Sequence, residues 1–249
     1  MADAVRRVAI SGAAGIPVLL AAACGGGSGA TASRSDHTTS TTAAVAVNTA
    51  ADRVTAEHIN LTATDLPGWQ ESPNPPDASM NAMGARLAAC TGAPNESKID
   101  VVDVTSSNFD QGQVEISSDV TMVRTHSDGV ADVQAIDSPK LTSCVNRIAL
   151  PAIRNELPSG VTLKTLQTSR FDPPGQAPGS VGLRLAGTMT GTQNGASMTL
   201  PFRIDAVNFV VGRAEVSLEV AQFGQPGAVA PEPGLVSVLY QRATAASTS

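Results

Sequence analysis

The chain has 249 residues, of which 42% are hydrophobic, 15% charged and only 3% aromatic, with 22 Gly and 16 Pro. That composition supports an aliphatic core and excludes a coiled coil or a long polyampholyte. A formal net charge of −6 offers none of the clustered Lys and Arg that nucleic acid requires, so no nucleic-acid partner is expected.

Residues 1–7, MADAVRR, end in two arginines, and residues 8–23 are uncharged and mostly Ala, Ile, Val, Leu and Gly. A helix over residues 8–23 reaches about 24 Å, short of the roughly 30 Å hydrocarbon core, and Gly12, Gly15 and Pro17 weaken it further. The segment therefore reads as a signal peptide, not a permanent span. It closes with Leu20-Ala21-Ala22-Ala23-Cys24, which resembles the lipobox of bacterial lipoproteins, in which the cysteine becomes the lipidated first residue of the mature chain. That family prefers Leu three residues before the cysteine, where Ala21 stands here. A plain secretory signal cut near Ala23 is the alternative. The chain has Cys24, Cys90 and Cys144, an odd count for a secreted protein, and lipidation of Cys24 leaves an even pair. Cys24 is the expected anchor to the extracytoplasmic face of the cell membrane, stable when it carries two or more acyl chains.

Residues 24–52 read as a lipidated tether. From Gly25 to about Ala51 the chain is rich in Gly, Ser, Thr and Ala and holds no large apolar residue, so it cannot bury enough surface to fold. Thr38-Thr39-Ser40-Thr41-Thr42 is either a bare polar linker or a site for O-linked sugars, as in similar tethers of actinobacterial lipoproteins.

Residues 53–249 read as one extracytoplasmic α+β domain. A short strand is expected at 59–64, stopped by Asp65-Leu66-Pro67-Gly68-Trp69 and a proline-rich stretch. Asp77 or Ser79 caps a helix to about Cys90, with Met80, Met83, Leu87 and Cys90 on one face. Residues 113–125 alternate as a half-buried strand, paired with 100–109 across Asp110-Gln111-Gly112. A short helix over 130–136 precedes a longer one opened by Pro139, with Leu141, Cys144, Val145 and Ile148 as its stripe and Pro151 as its end or kink. Strands follow at 161–170, 181–189, 197–209 and 211–223, with Asn194-Gly195 the strongest hairpin signal. A last helix, from Gly234 to about Thr244, buries Leu235, Val238 and Leu239. Strands around a helical insertion, closed by a helix, predict an antiparallel β-sheet packed against helices.

Cys90 and Cys144 fall on two of the predicted helices. In an oxidising compartment they are expected to form a disulfide; in a reducing one such residues are more often inert buried thiols. The catalytic inventory is thin: His37 lies in the tether, and His58 and His126 have no ligand-spaced His, Cys or carboxylate beside them. Adjacent His126, Ser127 and Asp128 cannot face one another as a triad, and Gly179-Ser180-Val181-Gly182 lacks the spacing of a nucleophile elbow. Neither an enzyme activity nor a cofactor or metal site is expected. Trp69 is either a ligand wall or a plug at the edge of the core, and residues 205–223 either line a lipid cavity or form a covered central strand pair.

The lipobox, the Thr-rich tether, the Asp65-Leu66-Pro67-Gly68-Trp69 turn, the helix-borne cysteine pair and the closing run 201–221 with Val211-Gly212-Arg213-Ala214 together resemble mycobacterial and related actinobacterial cell-envelope lipoproteins. The closing hairpin and helix look like those of PsbP-like lipoproteins and of the extracellular sensor domain of PknH-type kinases. The resemblance implies a binding or interaction module of the envelope, engaging a small envelope molecule or a membrane protein partner. The alternative is a carrier of lipid or another hydrophobic ligand.

Overall fold

A computed structural model describes residues 48–75, 78–157, 159–173, 177–193, 196–224 and 232–248. Residues 1–23, Cys24, most of the tether with Thr38–Thr42 and His37, and the turn residues Asn194 and Gly195 lie outside the described residues.

The first described element is a helix, α1 (Thr49–Ile59), which begins four residues before the expected domain start at Arg53. Asn48 caps it by accepting from the Ala51 amide, and Asp52, Ala56 and Ile59 form its buried side. The strand expected at 59–64 is not formed. Ile59 ends α1, and the next residues are claimed by turn chemistry: the Asp65 carboxylate accepts from the Thr62 amide at 2.8 Å, and Ser118 Oγ accepts from the Leu61 amide at 3.0 Å. Strand β1 (Gln70–Ser72) and helices α2 (Ala78–Thr91) and α3 (Glu96–Ile99) follow.

Strand β2 (Asp100–Thr105), β3 (Asn108–Gln111) and β4 (Val114–Val123) fill the region expected to hold one hairpin. The expected partner strand is split at Ser106-Ser107, because Ser106 Oγ takes the Ser118 amide and bends the chain away. The two pieces still pair along successive halves of β4. The turn falls on Gly112-Gln113, one step later than expected, where Gly112 adopts φ 65°.

Helix α4 (His126–Ile136) starts earlier than the apolar pattern suggested, because the Thr125 side chain caps the Asp128 amide. Helices α5 (Leu141–Cys144) and α6 (Leu150–Glu156) run on from one another through a π turn at Val145–Ala149. The wider turn accommodates Pro151, so the proline neither ends nor breaks this helix. Strands β5 (Thr162–Phe171), β6 (Val181–Gln193), β7 (Ala196–Val211) and β8 (Ala214–Phe223) form a meander, and α7 (Glu232–Ser247) closes the chain. In α7 Val236 is buried beside Leu235 and Leu239, whereas Val238 is half-buried. Gln193 pairs with Ala196 and Val211 with Ala214, so two-residue links join both hairpins.

The sheet is antiparallel, in the order β1-β3-β4-β8-β7-β6-β5, with β2 beside β4. The fold is α+β, with helices on both faces. On the first face α1 and α7 cover Val120, Val207, Phe209, Val216 and Leu218, each fully buried. On the second, α2, α5 and α6 cover Leu183, Leu185, Phe202, Ile204 and Phe223. No described helix is long and apolar enough to cross a membrane.

Ion pairs fasten the first layer to the sheet. Arg213, in the β7–β8 turn, grips Asp52 of α1 with bonds of 3.1 and 3.0 Å and donates through Nε to the Val123 carbonyl. Arg242 of α7 holds Asp65 in the same two-pronged way and also reaches the Asn60 carbonyl. Burial alone would raise the Asp65 pKa, but hydrogen bonds from Arg242 and Thr62 outweigh it and lower it. Arg213→Ala is expected to destabilise the domain by about 2 kcal/mol, since it strands a buried carboxylate while Arg213 itself is partly solvated. An unchanged denaturant midpoint would show the pair to be idle.

Candidate functional site: an acidic strip on the sheet

Alternation along β4 was expected to leave its polar side in solvent. Instead all ten residues are buried. Val114, Ile116, Val120 and Met122 enter the first core, and Glu115, Ser117, Asp119 and Thr121 face the other side. The neighbouring strand repeats the pattern with Glu215, Ser217 and Glu219. Register stacks these residues in rows: Glu115 beside Ala221, Ser117 beside Glu219, Asp119 beside Ser217 and Thr121 beside Glu215. Asp103 and Thr105 of β2 extend two rows on one side, and Asn208 of β7 extends one on the other.

These carboxyls are buried among their own kind. Glu115 is 4% exposed and neither carboxylate oxygen has a partner; Glu219, 8% exposed, has an unpartnered Oε1. Burial, with the Asp110 charge added, pushes Glu115 up to about 7. Burial and then Glu115 push Glu219 well above the carboxylate range. At the other end, burial and Asp103 raise Asp119, although Thr105 Oγ1 donates to it at 2.7 Å. Burial raises Glu215, reinforced by its hydrogen-bonded neighbour Asp132 of α4, and Asp132 is itself raised by burial. The opposite face solves the same problem differently: Asp205, 1% exposed, is held by Arg184 at 2.6 and 2.9 Å with Arg203 nearby. None of the ion pairs named here reaches the strip.

A groove of about 480 Å³ lies along α2 and the link from α2 into α3. Small side chains of α2, Ala82, Ala85, Ala88 and Ala89, line it, and Pro94 and Glu96 close it. Glu96 Oε2 is buried without a partner, and burial, with Asp132, Asp100 and Asp103 nearby, pushes this carboxyl up to about 8. Through those charges the groove and the strip share one electrostatic field.

The residues singled out from sequence are placed as follows. Cys90 and Cys144 form a disulfide with Cα atoms 5.9 Å apart, and Arg147 reaches Cys90 Sγ at 2.7 Å. His58 is exposed in the last turn of α1, and His126 Nδ1 meets the Gly212 carbonyl oxygen at 2.9 Å. Trp69 is half-buried against the first core, the edge plug of its two readings. In residues 205–223, Val207, Phe209, Val216, Leu218 and Val220 are packed under α1 and α7, which is the covered strand pair. The acidic strip was not singled out, because alternation gives each residue's side of the sheet but not what lies over it.

The architecture is a helix-covered antiparallel sheet carrying a buried acidic face. No family model matches the chain, and no curated protein matches it. Among solved structures that do match is the extracellular domain of PknH from Mycobacterium tuberculosis, at a TM-score of 0.30 and 12% identity, covering 65% of this chain and 68% of that one. Similarity at that level carries no conclusion about function.

Proposed function

We propose that the chain is a lipid-anchored extracytoplasmic binding module of the cell envelope. Its leader, residues 1–23, is removed, Cys24 carries the acyl chains, and the tether holds the domain near the membrane. The observation that supports a binding role is the second face of the sheet: Glu115 and Glu219 are buried with unpartnered oxygens next to further carboxyls. Interiors keep such groups unpaired at a cost of several kcal/mol, which is commonly retained where a ligand completes the hydrogen bonding. A polar strip suits a polar ligand, and the aliphatic strands that would have walled a lipid cavity are filled by α1 and α7.

The test is mass spectrometry of the full-length protein produced in an actinobacterial host and extracted from its membranes. The expected chain starts at Cys24 with diacylglyceryl and acyl masses, and in native spectra it carries an added mass that denaturation removes. Cys24→Ala should abolish the acyl masses. A chain that retains residues 1–23 and carries no adduct would overturn the proposal.

A further inference from the structure

We infer that the outer edge of β5 is a self-docking surface: two copies of the chain pair there, antiparallel about a two-fold axis, with Thr168 of one copy opposite Thr168 of the other. Among the described residues β5 pairs with β6 alone and ends the sheet. Alternate residues of such a strand turn their N–H and C=O groups away from the sheet, ready to pair with another chain. Thr165, Gln167 and Ser169 are exposed, and Leu166, Thr168 and Phe171 are half-buried. The opposite side of the sheet offers no equivalent: β1 has three residues, and on β2 the Val104 carbonyl already accepts from the Asn60 side chain.

A strand edge by itself accepts many partners; the side chains of β5 select a second copy. A bulge at Lys164 interrupts the strand on one side and Pro173 closes it on the other, so the usable ladder is residues 165–171, about 23 Å long. For a two-fold axis perpendicular to the sheet, opposed residues share a face and the axis passes through a residue. Centred on Gln167, Lys164 of one copy opposes Arg170 of the other, a pair of like charges. Centred on Leu166 or on Ser169, no opposite charges meet. Centred on Thr168, Lys164 opposes Asp172, twice by symmetry, and both residues are exposed. In that register Arg170 opposes Leu166 and lays its aliphatic stem against it. The Arg170 charge is already met within its own copy by Asp137 at 2.8 Å, which leaves Lys164 and Asp172 as a matched pair.

An independent observation marks the same residue. Thr168 Oγ1 is buried without a hydrogen-bond partner. On the axis it faces its own copy with Cβ atoms about 5 Å apart, where one hydroxyl donates and the other accepts. The contact thus supplies a partner for a group that the single chain leaves unsatisfied.

The test uses the full-length protein in a density-matched mild detergent. Sedimentation equilibrium should show a reversible monomer–dimer equilibrium, and hydrogen exchange should show the amides of residues 165–171 better protected at high protein concentration than at low. Lys164→Asp and Asp172→Lys each oppose like charges and should each weaken the dimer roughly tenfold or more, whereas the two combined should recover the parent value. Mild oxidation of Thr168→Cys should give a dimer whose bridge maps to position 168 in both copies. Gln167→Cys should not bridge, since the offset of two residues holds its thiols too far apart. Thermal melting confirms that each variant is folded. A monomer at every concentration, a dimer indifferent to charge reversal, or bridging at position 167 as readily as at 168 overturns the inference. A monomer whose β5 amides are protected by a co-purified peptide also overturns it, and makes the edge a site for a foreign strand.

Discussion

Reducing the Cys90–Cys144 disulfide is expected to lower the melting temperature of the domain by about 10 °C. The bridge closes a sequence separation of 54 residues. In the chain-entropy account, that constraint on the unfolded chain is worth about 4 kcal/mol, a large share of the roughly 5 to 15 kcal/mol a domain possesses. For a domain near 200 residues, each kcal/mol moves the midpoint by about 2 to 4 °C. The loss should be local before it is global. Among its described side chains, helix α2 enters the second core through Met83, Leu87 and Cys90, beside Leu141, Cys144, Val145 and Ile148 of the interrupted helix. Without the bridge a narrow, alanine-rich helix is held by few large side chains, and the wall of the groove loosens with it. Calorimetry with and without reductant, and on Cys90→Ala/Cys144→Ala, measures the global effect; hydrogen exchange should show α2 opening before the sheet. Coincident melting curves would remove the bridge from the stability of this fold.

Stability should also fall as the pH rises from about 4 to 8. Glu115, Glu219, Asp119, Glu215 and Glu96 all hold protons more tightly in the folded chain than in the unfolded one. Between the unfolded and folded values the native state is the more protonated, so unfolding releases protons and is favoured by raising the pH. The stability these groups confer is fully present below about pH 4 and is lost as the pH passes the folded values, about 7 for Glu115 and about 8 for Glu96. For Glu115 alone the change is on the order of 3 kcal/mol. Asp65 acts in the opposite sense: its lowered value adds stability above the unfolded pKa that is lost only as the solution becomes more acid. Melting temperatures should therefore decline from pH 5 to pH 8. Glu115→Gln/Glu219→Gln should raise the pH 8 value, leave the pH 5 value nearly unchanged and flatten the slope. A parent protein equally stable at both pH values would mean that the strip is solvated and ionised throughout.

Much of the fold was legible because its signals are local. Two-residue links at β-turns, the 3.6-residue spacing of Met83 and Leu87 and the period-2 pattern of β4 and β8 each act within a few residues. Where local signals conflicted, distant partners decided. Residues 59–64 carry the apolar and β-branched residues of a strand, yet Ser118 and Asp65 claim the amides of Leu61 and Thr62. Pro151 was expected to end or kink its helix; the helix continues past it, and a single wide turn at Val145–Ala149 absorbs the missing donor.

The sequence by itself determined the class of fold and the two cysteines placed to meet, and it raised the expectation of a leader and of a lipid anchor at Cys24. These depend on composition, short motifs and periodicity. Only the tertiary structure decided that the polar side of β4 and β8 is enclosed, that Asp205 is neutralised by arginines while Glu115 and Glu219 are not, and that Glu96 and Asp132 approach the same strip from separate helices. A strand's alternation states which residues share a face; whether that face meets water, helices or a ligand depends on elements far away in the chain, and the energy of a buried carboxyl is set by that cover.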